Sequence, residues 1–473
     1  MNTNVIYANK GNLKMDTETI AKKVANLKRL FFIAVSAIFF MTSFTTHSQQ
    51  SLNKWKVGSE DINSSTFELR ADQTAIYNGD VNGANFKNFN FKARITHSVG
   101  AKASFWIHSD ANLSKGYSIL IGKPANDRRR SGSLASVRNL YRSHASSFDL
   151  EVKVEGKRIV VMIDGTMVVD YLEPADPYRL PANAAQLLSS GVIGFRVESG
   201  MINVASADIA PLADNLPNYP ADREPWDERD DAVIRLQQRN FPIVDFHVHP
   251  PRGMDTEALL AKSLEDGFEY GTTFTSAGEG YAISNDEQAR EYFEANRDKP
   301  FFLTMQLEGR EWVNLFSKEV FDLFDYMFTD PLTFDDHKGR RTRLWSENSV
   351  IIDIPEQEYM DMVMDRTLKI INEEPIDFLA NPTLLSNSMM ENYDKFWTDV
   401  RVAQFVKALK DNNVALEINA RYKLPTARII NAAKAAGVKF VLGTNNGTLV
   451  RLEYSLQMVE ECGLTIDDMW FPK

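Results

Sequence analysis

Pro242-Ile243-Val244-Asp245-Phe246-His247-Val248-His249 is a short apolar run that closes on two histidines one residue apart. Successive side chains of an extended chain point to opposite faces, so His247 and His249 project from the same side at the end of a strand. Two imidazoles held together there are a pair of metal ligands. A His-x-His pair alone also arises as an ordinary hydrogen-bonded surface feature, so the order of elements after it decides the reading.

Downstream, apolar strands and amphipathic helices take turns. Strands are expected near 243–248, 272–275, 301–307, 325–329, 376–380, 414–418 and 438–442, each followed by a helical segment. Val402, Phe405, Val406 and Leu409 recur at the spacing of one helix face, and another helix begins at Pro425 and stops at Gly437. Seven such units predict a parallel sheet closed, or nearly closed, into a (β/α)7 barrel over 239–473.

Function in such barrels sits at the C-terminal ends of the strands. The residues there are polar: His247 and His249 on the first strand, Glu308 on the third, Asp330 on the fourth, Asn381 on the fifth, Glu417 and Asn419 on the sixth, Asn445 and Asn446 on the seventh. Asp245-Phe246-His247-Val248-His249, Ile376 to Pro382, Ala415-Leu416-Glu417-Ile418-Asn419 and Gly437 to Asn445 occupy the order found in the polymerase and histidinol phosphatase (PHP) superfamily of metal-dependent hydrolases, which this half resembles. The resemblance implies a multinuclear metal centre. Its members usually have His where Asn381 stands and a Ser-Asp-x-His ending where Thr444-Asn445-Asn446-Gly447 stands. Neutral amides hold divalent ions poorly compared with imidazole and carboxylate, so the expectation is one ion, Zn, Mn or similar. His247, His249 and a carboxylate from Glu308 or Glu417 would hold it. Asn381, Asn419, Asn445 and Asn446, with Arg310 or Arg421, would line a pocket suited to sugar hydroxyls or a carboxylate.

Upstream, Pro211, Pro217, Pro220 and Pro225 punctuate a stretch of little periodicity, and a linker is expected over 212–238. Before it the period changes from helical to two. Phe89, Phe91, Ala93 and Ile95 share one face, and Phe148, Leu150, Val152 and Val154 repeat the pattern before the Glu155-Gly156-Lys157 turn. Ala103-Phe105-Ile107, Tyr117-Ile119-Ile121, Ile159-Val161-Ile163 and Ile193-Phe195-Val197 extend it, predicting an all-β two-sheet sandwich over 53–211. At Gly116-Tyr117-Ser118-Ile119, Arg130-Ser131-Gly132-Ser133-Leu134, Val154 to Lys157 and Ile163 to Tyr171 this half resembles the 3-keto-disaccharide hydrolase family. That resemblance implies a concanavalin-A-like jelly roll and hydrolysis or lyase cleavage of glycosides oxidised at C3. Ser118 and Glu198-Ser199 stand where members often carry an acidic residue and a His-Asp pair. His108, His144 and Arg128-Arg129-Arg130 are further polar features, and the arginines read as a solvated loop.

Charge and composition narrow the partners. Sixty-four acidic against 53 basic residues give a net charge of -11, which repels a nucleic acid and leaves a carbohydrate or other small molecule as the expected substrate. The single cysteine, Cys462, excludes an intrachain disulfide framework. Lys22, Lys23, Lys28 and Arg29 precede the apolar run Leu30 to Phe44, which is shorter than a spanning helix requires. Residues 1–48 therefore read as a signal peptide, with export to the periplasm or beyond and no stable membrane anchor.

Three functions follow from these features. The leading one is a secreted, metal-dependent hydrolase or lyase acting on glycosides, 3-keto-glycosides among them, with Glu417 or Asp330 as the base. The others are a PHP-like metal-dependent phosphoesterase and a non-catalytic sugar-binding protein with a relict barrel.

Overall fold

Alternation of apolar and polar side chains organises the first half of the molecule. In Phe89–His97 the side chains of Phe89, Phe91, Ala93 and Ile95 are buried, whereas Lys92 and Arg94 face solvent. A strand with one wet face needs a second sheet over its dry one. A computed structural model, which describes residues 67–79, 81–445 and 451–472, supplies it; residues 1–66, with the expected signal peptide, and Asn446 lie outside the described residues.

One antiparallel sheet runs Phe67–Leu69, Thr74–Tyr77, Val192–Ser199, Lys102–Ser109, Tyr117–Gly122. The other runs Ile202–Pro211, Phe89–His97, Ser147–Glu155, Arg158–Ile163, Thr166–Leu172. The expected β-sandwich is present. Between the sheets Phe91 and Phe105 stack with ring centroids 4.1 Å apart, and Phe195 lies 5.0 Å from Phe105. Burying each such ring contributes on the order of 1.5–3 kcal/mol.

The stretch 212–238 is laid along this sandwich. Lys157 N donates to Asn218 O at 2.7 Å, and Gly156, with φ 59°, admits the crossing because a Cβ there would meet Pro217 O at 2.3 Å. The stretch also contains a helix, Ala232–Gln237, which the proline count did not reveal. Asp231 starts it by accepting from the backbone of Val233 and Ile234. Its buried end is tied to the sandwich: Asn139 N donates to Gln237 Oε1 at 2.8 Å, and Gln238 Nε2 donates to Ser136 O at 2.8 Å.

The second half is α/β with a parallel sheet, as the alternation of elements predicts. Its nine strand segments run Ser276–Ala277, Gln306–Leu307, Phe328–Thr329, Phe378–Leu379, Ala415–Asn419, Phe440–Gly443, Val244–Val248, Glu269–Thr272, Phe302–Leu303. Most of the segments are shorter than expected, Ala415–Asn419 being as long as expected, and the strand expected at 272–275 is broken. The Thr273 hydroxyl accepts from Gln306 N at 3.1 Å and donates to Thr275 O at 2.8 Å, so a side chain takes over ladder bonds. A two-stranded antiparallel ribbon, Thr333–Asp335 with Arg341–Arg343, was not anticipated.

Helices follow the strands. In Asp399–Asp411 the stripe Val402, Phe405, Val406 and Leu409 is buried, and Ala427–Ala436 ends at Gly437 in the left-handed region, φ 77°. An aromatic cluster packs inside the sheet: Phe328 and Phe378 stack at 4.8 Å, and Tyr326 and Trp470 adjoin Phe378. Among the described residues no helix is long and apolar enough to cross a membrane.

The sandwich and the sheet touch through buried groups. Tyr141 N and Arg142 N donate to the Glu269 carboxylate at 2.5 and 3.2 Å, and Tyr141 packs on Phe471 with centroids 5.3 Å apart. Burial pushes the Glu269 carboxyl up to about 7.

Candidate functional site

The strand Val244–Val248 delivers His247 into the interior, where it is fully buried over Phe328 with ring centroids 4.8 Å apart. A buried imidazole needs partners for both nitrogens. Nδ1 faces Glu417 Oε1 at 2.7 Å, while Nε2 lies 3.3 Å from Gln306 Oε1 and 3.2 Å from His249 Nε2. Glu417 reaches His247 because residue 443 is glycine: a Cβ at Gly443 would lie 2.0 Å from Glu417 Oε1.

Glu417, expected as a metal ligand or base, is fully buried and engaged at both oxygens. Beyond His247 it accepts from Asn381 N at 2.6 Å and from Asn419 Nδ2 at 3.0 Å. A carboxylate so held fixes the tautomer and orientation of its histidine. Asp245 is a second buried carboxyl, on the strand that carries His247. Burial pushes it up to about 6, while the Thr444 hydroxyl donates to it at 2.6 Å.

The strand segment Gln306–Leu307 brings in the other carboxylates. Gln306 Nε2 donates to Glu308 Oε1 at 3.0 Å and to Asp330 Oδ2 at 3.4 Å, so one amide bridges two acids. Burial raises both carboxyls above the usual range, and the charge of Asp330 raises Glu308 further, while the hydrogen bonds from Leu332 N and Asn381 work against burial at Asp330. His249 moves the opposite way: burial first, and His247 second, push it down to about 3. For His247 burial opposes the charge, but Glu417 outweighs it and the net direction is up.

The asparagines close the set. Asn381, with φ 47°, donates to Asp330 Oδ2 at 3.1 Å, and its own Oδ1 accepts from Asn419 and Asn445, each at 2.9 Å. His247, Glu417, Gln306, Glu308, Asp330, Asn381, Asn419 and Asn445 thus form one connected network. The arginines stand at its edge. Arg310 is committed to Glu374 at 2.9 Å and to Thr329 and Asp330 O, while exposed Arg421 donates to Asn445 O at 3.1 Å.

Gln306 was missed in the sequence. The signal was present, since Gln306 and Glu308 repeat the two-residue spacing of His247 and His249. Among the described residues no three His, Cys, Asp or Glu side chains converge as an ion-holding group. The donors that do meet are the two imidazoles and the Gln306 amide oxygen. The imidazole spacing of 3.2 Å is that of a hydrogen bond between the two rings and is also close to the ~3.3 Å of two nitrogens each about 2.0–2.1 Å from a shared tetrahedral ion.

In the sandwich, His108 Nε2 meets Lys87 O at 2.8 Å and its Nδ1 accepts from Ser189 N at 3.1 Å, a structural role. Tyr117 and Tyr171 join Arg179, Glu173, Glu228 and Lys157 in a buried network.

Residues 49–208 match the model of the 3-keto-alpha-glucoside-1,2-lyase-like domain family. No curated protein matches the chain. Among solved structures, the chain is similar to a carbohydrate-binding module from Bacillus subtilis, at 15% identity over 34% of this chain and 96% of that one, TM-score 0.23. It is also similar to a histidinol phosphate phosphatase from Lactococcus lactis crystallised with zinc, L-histidinol and phosphate, at 13% identity over 49% of this chain and 98% of that one, TM-score 0.33. A galectin from Caenorhabditis elegans aligns at 15% identity over 30% of this chain and 94% of its own, TM-score 0.17.

Proposed function

We propose that this protein is an exported, carbohydrate-active hydrolase or lyase whose sandwich recognises a glycoside and whose α/β half carries out the bond cleavage. The sugar class is supported by the family match over 49–208. The place of the chemistry is carried by one observation, the convergence of His247 and His249 beside two carboxyls that Gln306 bridges.

We read the parallel sheet as a ring of seven strands. Glu269–Thr272 and Ser276–Ala277 are two pieces of one strand, as are Phe302–Leu303 and Gln306–Leu307. The first pieces pair with each other, as do the second. The pairing then continues through the remaining strands to Val244–Val248 and back to Glu269–Thr272. On that reading the polar network occupies the C-terminal mouth of a (β/α)7 barrel.

His247 and His249 would hold one divalent ion, with Gln306 Oε1 beside them and Glu417 orienting His247. Such an ion, when bound, polarises oxygens of the substrate. In a 3-keto-glycoside the C3 carbonyl acidifies the C2 proton. Asp330 in its ionised form removes that proton, and the electron pair of the C2–H bond becomes the C1–C2 double bond as the C1–O bond breaks. Glu308, held protonated by burial and by Asp330, gives its proton to the departing oxygen. The asparagine amides offer donors and acceptors to sugar hydroxyls.

Metal analysis of the purified protein tests the reading, with about one divalent ion per chain expected and most of it lost in His249→Ala. Wild type should cleave 3-keto-glycosides, and Asp330→Asn should lower kcat by at least a hundredfold. Turnover of phosphate esters in place of glycosides would move the assignment to a phosphoesterase. No ion and no turnover would leave a sugar-binding protein.

A further inference from the structure

Arg128-Arg129-Arg130 reads in the sequence as a solvated loop; Arg128 is exposed, while Arg129 and Arg130 are half-buried. Arg129 is paired with Asp127 at 2.6 Å and reaches across to Asn240 at 2.8 Å, so the loop is pinned between the two halves. Its neighbours line a cleft of about 370 Å³. Lys123, Arg128, Arg130 and Arg142 enter it from the sandwich, Arg297 from the α/β half, and Asp325 is the one carboxylate among the described lining residues. Asp325 is occupied: it accepts from Leu303 N at 2.7 Å, and burial raises its carboxyl. Among the described residues Arg297 pairs with Glu294 at 3.3 Å, in an exposed pair of little strength, while Asp127 and Glu269 act on Arg130, and Glu269 and Asp325 on Arg142, through their charge without a salt bridge.

Five cations gathered in a chain of net charge -11 repel one another. Arg130 is partly engaged: its Nη1 donates to Asp127 O at 2.8 Å and Arg129 O at 3.1 Å, its Nε is buried without a hydrogen-bond partner, and burial, opposed by Asp127, holds its guanidinium below the ordinary range. Aromatic rings are among the other lining residues. Tyr141, Phe301 and Phe471 contribute them, and the Arg128 guanidinium lies 4.9 Å from the Phe471 ring. Planar guanidinium forks suit the oxygens of phosphate and sulfate, and aromatic rings suit a carbon skeleton. The cleft lies among Phe301, Phe302 and Leu303, whereas the polar site takes Gln306 and Glu308 from farther along the same stretch of chain, so the two are separate places.

We propose that this cleft is a binding site for a small organic oxyanion, a phosphate or sulfate ester, lodged between the sandwich and the α/β half. Bound there, the anion meets the forks of Arg128 and Arg142 and the free nitrogens of Arg130 while its carbon part lies against the aromatic rings. It also bridges residues of both halves, so its binding stabilises their contact.

Calorimetric titration of the full chain with glucose 6-phosphate, glucose 6-sulfate, inorganic phosphate and chloride at constant ionic strength tests the site. Saturable 1:1 binding of at least one ester, tighter than the inorganic ion, is expected, with no saturable binding of chloride. The tighter ester names the group. Arg128→Gln/Arg142→Gln should weaken binding at least tenfold, and Arg297→Glu, at an exposed position that leaves folding intact, should weaken it severalfold. His249→Ala should bind as wild type does. No saturable ester binding, equal response to chloride, or unchanged affinity in both Arg297→Glu and the double variant would overturn the proposal.

Discussion

Two buried polar networks, one in each half of the molecule, use the same residue types to opposite ends. In the sandwich Arg179 donates to Tyr117 Oη at 2.6 Å, to Tyr171 Oη at 2.7 Å and to Glu228 at 2.8 Å. Glu173 takes Tyr117, Lys157 at 2.6 Å and Leu188 N at 2.8 Å. Burial disfavours the Arg179 charge, yet the phenols and Glu228 hold it above its ordinary range. Every charge there has an opposite partner. At the strand ends two imidazole nitrogens face each other at 3.2 Å, and two carboxyls sit side by side, both raised. Like groups have been brought together, which costs stability unless an ion, a proton or a substrate comes between them. The first network joins opposite charges, and the second sets like groups side by side with the Gln306 amide bridging the two acids.

The contrast can be broken most directly at Arg179. Arg179→Met leaves Glu228 buried without its cation and should cost about 3–5 kcal/mol of stability, read by urea unfolding. A loss under ~1 kcal/mol would mean that the sandwich network is not what holds this region.

Glu269, between the two halves, gives the next largest effect. Its folded-state carboxyl, near 7 against 4.5, disfavours the charged form, so its contribution is fully present below 4.5 and is lost as pH rises through 7. The loss by pH 8 is at most about 3 kcal/mol. Glu269→Gln keeps an acceptor for Tyr141 N and Arg142 N and should flatten that decline, which thermal melts at pH 5 and pH 8 will read. An equal decline in the variant would place the pH dependence elsewhere.

His249→Ala sharpens the comparison from the other side. It should abolish ion binding while changing stability by no more than about 1 kcal/mol, since it relieves a like-with-like contact. A large fall in stability with ion content unchanged would make His249 a structural residue.

The smallest effect belongs to 212–226, mostly exposed chain ahead of the buried helix. Limited proteolysis should nick there first, and the fragments should still elute as one species because Gln237, Gln238 and Glu269 join the halves. Separation of the fragments on size exclusion would show those bonds to be too weak.

Much of the architecture was legible in local pattern. Period-two alternation at Phe89 to Ile95 and the helical stripe from Val402 to Leu409 follow from which side chains must leave water, a property of sequence alone. So does the shared face of His247 and His249. The break at Thr273 was not legible, because a threonine hydroxyl competes with the ladder only when Gln306 N stands opposite it. Nor was the helix Ala232–Gln237, whose apolar residues are buried only once the sandwich and sheet lie on either side of it.

Which polar residues stand at the strand ends, from His247 to Asn445, follows from local pattern, since strand period and apolar runs are short-range. Only the tertiary structure decided their roles. Glu417 holds His247 because Gly443 leaves room for it; Gln306 joins Glu308 to Asp330; Arg310 is taken by Glu374; and the arginine triplet borders a cleft. Each of these depends on residues tens to hundreds of positions apart meeting in a medium from which water is excluded. Burial and proximity, which set charge state and partner there, are not properties of any local stretch of chain.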